Sequence, residues 1–112
     1  FLTNWRRLMR VRLLDQAKND LVALGQYYRD VGGDVLARKM VARIKTPVLS
    51  LKDNPDIAPS YELAPGIRRL VVAKGAFLVF YRVRVDVEVL HIRRAARDSA
   101  TGDELGQIAT KE

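Results

Sequence analysis

Residues 67–97, IRRLVVAKGAFLVFYRVRVDVEVLHIRRAAR, decide the fold, because they hold three runs rich in β-branched and aromatic residues. The runs span residues 67–73, 77–84 and 87–92, and only three and two residues separate them. Gaps this short suit hairpin turns. The stretch therefore predicts a three-stranded antiparallel meander.

The same stretch carries most of the positive charge of the chain. Eight of its residues are basic and two, Asp86 and Glu88, are acidic, so it accounts for +6 of the net charge of +7. Clustered positive charge attracts phosphate backbones and acidic protein segments. We predict a cationic sheet surface that binds the target of the protein, formed by Arg68, Arg69, Lys74, Arg82, Arg84, His91, Arg93, Arg94 and Arg97.

Two helical patterns lie upstream of the meander. A strand pattern over residues 9–14 comes first, and Asp15 follows it as the predicted N-cap of the first helix. Apolar residues then recur at helical spacing until Gly32-Gly33, where this helix is expected to end. The two helices need an apolar surface to cover, and one face of the meander supplies it. The predicted fold class is α+β, with an N-terminal strand and an α-helical hairpin packed on an antiparallel β-sheet.

The second helical pattern contains a proline. Asp34 is expected to cap this helix, and Pro47 lies within it. Proline lacks an N–H group, and its ring clashes with the preceding turn. We therefore expect a kink at Pro47, or a break there with Thr46 as a fresh cap. Residues 56–66 are interpreted as the loop that leads into the meander.

Length and composition indicate one globular domain. The 112 residues are 48% hydrophobic and 29% charged. We assign residues 1–8 to an upstream extension or a vector-derived remnant, residues 9–98 to the folded domain and residues 99–112 to a C-terminal tail.

Several kinds of function are excluded by composition. Without cysteine the chain has no disulfide and no thiol chemistry, and a single histidine offers no metal-ligand spacing. No metal or other cofactor is therefore predicted. No apolar run reaches the length of a membrane helix, so we predict a cytoplasmic protein with no membrane partner.

His91 and the aromatic residues have both functional and structural interpretations. His91 could be a general acid or base, but strand alternation places it with Val87 and Val89, beside apolar neighbours with no carboxylate partner nearby in sequence. A structural role at the end of the strand is therefore favoured. The aromatic residues could stack on nucleotide bases, but their spacing is more typical of a core. They are Tyr27, Tyr28, Phe77, Phe80 and Tyr81.

The order of the elements and two motifs carry a family resemblance. The motifs are LVFYRV at residues 78–83 and VLHIRR at residues 89–94. With them, residues 9–98 resemble the RelE/ParE superfamily of toxins from bacterial type II toxin–antitoxin systems, and more closely its ParE, or plasmid-stabilisation, branch. The resemblance implies a small basic toxin that arrests growth and is neutralised by a cognate antitoxin. It leaves open whether the toxin forms a homodimer or a toxin–antitoxin heterotetramer.

The superfamily has two mechanisms. RelE-type toxins are ribosome-dependent mRNA endonucleases that place basic side chains on the sheet, whereas ParE-type toxins inhibit DNA gyrase and cut nothing themselves. Matched to the ribonuclease strand, Leu78 stands where those enzymes carry an arginine, and no tyrosine follows Tyr81. Only Arg69 matches the basic pair of the first meander strand, because Val71 stands at the other position. These departures favour a gyrase inhibitor without enzymatic activity.

Two alternatives remain. The first is a RelE-like mRNA interferase that acts on the ribosome and its mRNA, with Arg69, Arg94 and Arg97 stabilising charge on the phosphate. The second is a basic nucleic-acid-binding module without toxicity. For a toxin, we expect an acidic or amphipathic antitoxin segment to cover the helical hairpin and the edge of the sheet.

Overall fold

The structure is a computed structural model that describes residues 9–95 together with Leu105 and Ile108. The elements are strand β1 (Val11–Leu13), helix α1 (Asp15–Leu49), a 3-10 turn (Ser50–Lys52), and strands β2 (Arg68–Val72), β3 (Phe77–Val83) and β4 (Val87–Arg94). The strand order in the sheet is β1-β4-β3-β2. Strands β2, β3 and β4 pair antiparallel, which confirms the predicted meander, and β1 adds to β4 in parallel. The predicted α+β class is confirmed.

Helix α1 is interrupted once, at Gly33. The backbone there has φ 89° and ψ 179°, a non-helical conformation that glycine adopts readily. The chain reverses at this point. The two arms pack side by side, as shown by a Cβ built on Gly25, which would lie 3.5 Å from Cγ2 of Val41. Two antiparallel arms result, residues 15–32 and 34–49, and the helical hairpin is confirmed.

Two details of the predicted helices were wrong. The N-cap residue is Leu14 rather than Asp15, which begins the helix itself and places its carboxylate in the first turn. Pro47 lies inside α1 and the backbone there is helical, so the predicted break with Thr46 as a fresh cap was wrong. Because Pro47 is in the last turn, little helix lies beyond it, and the burial of Val48 in the core holds this turn in place.

Each face of the sheet carries an apolar core. On one face both helical arms cover Phe77, Val79 and Tyr81 of β3. On the opposite face, which we call the second face, Phe80 and Leu90 pack with Tyr61, Ala64, Ile67 and Leu105. Leu105 and Ile108 are helical and lie in the region predicted to be a tail, yet Leu105 is fully buried. No helix in the described part of the chain is long and apolar enough to cross a membrane.

A β-bulge in β4 changes the expected alternation. Leu90 has no partner between the pairs Phe80–His91 and Tyr81–Val89. His91 consequently lies on the side of Phe80, and the two rings are nearly parallel, with centroids 6.0 Å apart. The prediction that grouped His91 with Val89 was wrong, because strict alternation does not continue through a bulge.

Candidate partner-binding surfaces

The predicted cationic surface is divided between two ends of the sheet. Arg82 and Arg84 lie at the β3–β4 turn, whereas Arg93 and Arg94 lie at the other end of β4, where Arg94 pairs with Phe77. The length of β3 separates these ends by roughly 20 Å, at about 3.3 Å per residue. The predicted residues therefore do not form one continuous surface, because a hairpin carries residues that are close in sequence to opposite ends of the sheet.

At the β3–β4 turn, arginines surround buried carboxylates. Glu88 accepts a hydrogen bond from Nε of Arg82 at 2.6 Å, and its other oxygen lies 3.2 Å from Nη1 of Arg12. Arg84 is 3.8 Å from the same carboxylate, and Arg10 lies 3.7 Å from a neighbouring one. We call this group the arginine face; it consists of Arg10, Arg12, Arg82, Arg84, Asp86 and Glu88.

The arginine face presents mostly guanidinium groups to solvent. The side chains of Arg10, Arg12 and Arg84 are 78%, 52% and 63% exposed, whereas those of Asp86 and Glu88 are only 12% and 11% exposed. Sequence reasoning did not include Arg10 and Arg12 in the site. They join it because β1 pairs in parallel with β4, a contact between the two ends of the domain that the local pattern does not reveal.

The opposite end of the sheet carries a smaller basic group. The guanidinium of Arg94 lies 4.5 Å from the ring centroid of Tyr27, a cation–π geometry. Tyr27 is 43% exposed, so the prediction that it belongs to the core was wrong. Lys74 is exposed in the β2–β3 turn, and Arg93 is buried. Arg97 lies outside the described residues.

Arg68 and Arg69 of β2 contact the loop that precedes their strand. Arg68 donates a hydrogen bond to the carbonyl of Ala58 at 2.6 Å and lies 3.4 Å from the carboxylate of Asp56. The guanidinium of Arg69 lies 5.3 Å from the ring centroid of Tyr61. Both arginines thus help to hold this loop on the sheet.

Tyr81 also holds the loop that precedes β2, through hydrogen bonds of its hydroxyl. Its buried hydroxyl donates to the carbonyl of Pro55 at 2.7 Å and accepts from the N–H of Ala58 at 3.4 Å. Burial raises the pKa of Tyr81 above its ordinary value, although the hydrogen bond from Ala58 opposes this increase.

His91 has a carboxylate partner that sequence proximity could not reveal. Its Nδ1 lies 2.6 Å from Oδ2 of Asp20, which also accepts the N–H of Ile92 at 3.0 Å, while Gln16 donates to Oδ1 at 2.8 Å. The Nε2 of His91 is buried and has no hydrogen-bond partner among the described residues. Because His91 is only 7% exposed, it offers no surface to a target. This geometry supports its structural interpretation.

The arms of the hairpin form a groove on their outer side. Two adjoining depressions, of about 420 and 370 Å³, lie along it, and Gly25 and Val41 line both. Leu13, Leu21 and Val22 add apolar surface near β1. The groove also has four basic lining residues, Lys18, Arg29, Arg38 and Lys45, and none of its described lining residues is acidic. An apolar floor with basic edges fits an amphipathic segment that carries acidic side chains.

The described part of the alternative catalytic set does not converge. Arg69 stacks on Tyr61 on the second face, whereas Arg94 stacks on Tyr27 of the helical hairpin, which covers the other face. The two guanidiniums cannot contact one phosphate from opposite faces. Among the described residues, no group of three or more His, Asp or Glu side chains could hold a metal ion.

Comparisons with known proteins agree with this geometry. Residues 11–99 match a family model described as the ParE toxin of the type II toxin–antitoxin system parDE. A solved chain of the chromosomal ParDE toxin–antitoxin system from P. aeruginosa is similar, with a TM-score of 0.71 and 27% sequence identity. That match covers 79% of this chain and 97% of the other. No curated protein sequence matches.

Proposed function

The chain belongs to the ParE toxin family of type II toxin–antitoxin systems, and from this premise we propose that it arrests bacterial growth by inhibiting DNA gyrase. A cognate antitoxin neutralises it. Inhibition is a protein–protein effect in this account, and the chain performs no chemistry of its own.

The arrangement of the sheet favours gyrase inhibition over mRNA cleavage. Arg69 and Arg94, which the ribonuclease alternative needs together, stack on opposite faces of the sheet. Leu78, at the position where the ribonucleases carry an arginine, packs against the apolar cluster of the second face. A phosphate on either face would therefore meet only part of the catalytic set.

Induced expression without an antitoxin tests this function in cells. We expect growth to stop and a reporter plasmid to lose negative supercoiling, while the mRNA population stays intact. Codon-specific mRNA cleavage with unchanged plasmid topology would contradict gyrase inhibition and establish the ribonuclease alternative. Ordinary growth would favour the basic nucleic-acid-binding module instead.

For the antitoxin, we propose an amphipathic segment seated in the groove of the hairpin. Support comes from the apolar floor around Gly25 and Val41 and from the basic edges at Lys18 and Lys45. Charge complementarity would orient an acidic partner and raise its rate of association.

The antitoxin site is tested by reversing charge in the groove. In the Lys18→Glu/Lys45→Glu variant, copurification with the protein encoded beside this gene should weaken by at least about tenfold, because like charges then meet at both edges. The Arg10→Glu/Arg84→Glu variant makes the same charge change on the arginine face and should retain the partner. Equal losses in both variants would argue against the groove. The mass of the wild-type complex would also distinguish a homodimer from a heterotetramer.

A further inference from the structure

The arginine face projects from the second face of the sheet, whereas the helical hairpin that forms the proposed antitoxin groove covers the other face; the two surfaces meet at Arg12 and Lys18, which line one depression. Successive side chains of β3 point to opposite faces of the sheet. The side chain of Tyr81 packs beneath the helical arms, so that of Arg82 projects from the second face. Arg12 and Glu88 are register partners on neighbouring strands. The face is thus built on three adjacent strands, which hold its arginines on a common support.

We propose that the arginine face binds the phosphate backbone of duplex DNA. A guanidinium has five N–H donors in a fixed fork. The two buried carboxylates of the arginine face accept from only some of these donors. Glu88 contacts Arg12, Arg82 and Arg84 at once, so it limits their motion, while the side chains of Arg12 and Arg84 stay largely exposed to solvent. Guanidiniums that are already positioned lose less conformational freedom when they bind phosphate.

The composition of the face favours nucleic acid over protein. Protein–protein interfaces are built around an apolar centre, whereas protein–DNA interfaces are polar and strongly positive. Among the described residues around the β3–β4 turn, the exposed large apolar residue is Val85, between Arg84 and Asp86. The six residues of the face carry four positive and two negative charges, and the two carboxylates are the buried members.

The number of exposed arginines sets the expected strength of binding. Arg10, Arg12 and Arg84 can each neutralise one phosphate, so log K should fall with log salt concentration with a slope of about −3. Backbone contacts of this kind carry no base specificity. This surface would hold the toxin on the substrate of gyrase, independently of any contact with the enzyme.

The test measures binding of the full chain to a fluorescently labelled random-sequence duplex, by anisotropy over about 50 to 200 mM KCl. The Arg10→Gln/Arg84→Gln variant removes two exposed charges but keeps Arg82 on Glu88. We expect its slope to fall to about −1 and its affinity at the lowest salt to drop by at least about tenfold. The Lys18→Gln/Lys45→Gln variant loses the same charge from the groove and should keep a slope near −3. Thermal unfolding of both variants confirms that they are folded.

Three outcomes would overturn the proposal. The first is equal loss of affinity in both variants, which would mean that net charge alone attracts DNA. The second is no measurable binding at the lowest salt concentration. The third is tighter binding of a polyglutamate peptide than of DNA, which would identify an acidic protein as the partner. Gyrase is absent from this assay. A negative result would therefore not contradict gyrase inhibition, and a protein that does not inhibit gyrase could still bind DNA here.

Discussion

One carboxylate, that of Asp20, joins the first helical arm to the far end of β4. Strand β1 ends at Leu13, so the part of β4 beyond the bulge has no strand partner on that side. The carboxylate of Asp20 serves as the hydrogen-bond partner there: it accepts from the backbone N–H of Ile92 and from Nδ1 of His91. It thereby satisfies polar groups that would otherwise be buried without partners.

Replacing Asp20 with alanine should therefore be costly. The Asp20→Ala variant leaves the N–H groups of His91 and Ile92 buried and unpaired, which should lower the free energy of unfolding by about 2–4 kcal/mol. Asp30→Ala is the matched control, because Asp30 pairs with Gln26 in the same i,i+4 pattern but is exposed. It should change stability by less than about 0.5 kcal/mol in urea unfolding. Similar small effects in both variants would show that Asp20 does not anchor β4.

Tyr81 should give the protein a specific alkaline instability. Its pKa is raised on folding above 10.0, so the folded state keeps a proton that the unfolded chain releases. The stabilising contribution is complete below the unfolded pKa and is lost as pH rises through the folded pKa.

The Tyr81→Phe variant tests this dependence. It should be less stable by about 1–2 kcal/mol at neutral pH, because it loses the bonds to Pro55 and Ala58. Urea unfolding at neutral pH and near pH 11 should show the difference between wild type and variant shrinking at high pH. A difference that is independent of pH would contradict the assigned role of the hydroxyl.

At the scale of elements, the hairpin depends on the backbone of Gly33. Its φ and ψ lie in a region that is essentially restricted to glycine, so Gly33→Ala should lower the free energy of unfolding by about 1–3 kcal/mol. Gly25→Ala is the control, because Gly25 is helical and an added Cβ meets Val41 at an ordinary contact distance. It should leave stability unchanged or raise it by up to about 1 kcal/mol. Equal destabilisation in thermal unfolding would contradict this distinction.

The elements that sequence predicted correctly are those with local determinants. The reversal at Gly33 and the three meander strands follow from turn residues and from runs of β-branched side chains. Local rules did not decide between a kink and a break at Pro47, and they failed at the bulge beside His91. Both outcomes depend on tertiary contacts, since core burial of Val48 holds the last turn and Asp20 satisfies the bulged strand.

At the scale of the whole molecule, charge was easy to count and hard to place. Residues 67–97 carry most of the net charge, but the antiparallel strands separate it into two ends of the sheet. The arginine face gains Arg10 and Arg12 only through the pairing of β1 with β4. Strand direction and long-range register therefore decide which of the predicted residues can act together.

The family assignment gives the general role of the molecule as a toxin. The central claim is that the target of this toxin is DNA gyrase. The most direct test is the supercoiling of relaxed plasmid by purified gyrase, with increasing amounts of the purified chain. We predict that supercoiling stops at a stoichiometric ratio of toxin to gyrase and resumes when the cognate antitoxin is added. Unchanged supercoiling at a large excess of the chain would contradict the account.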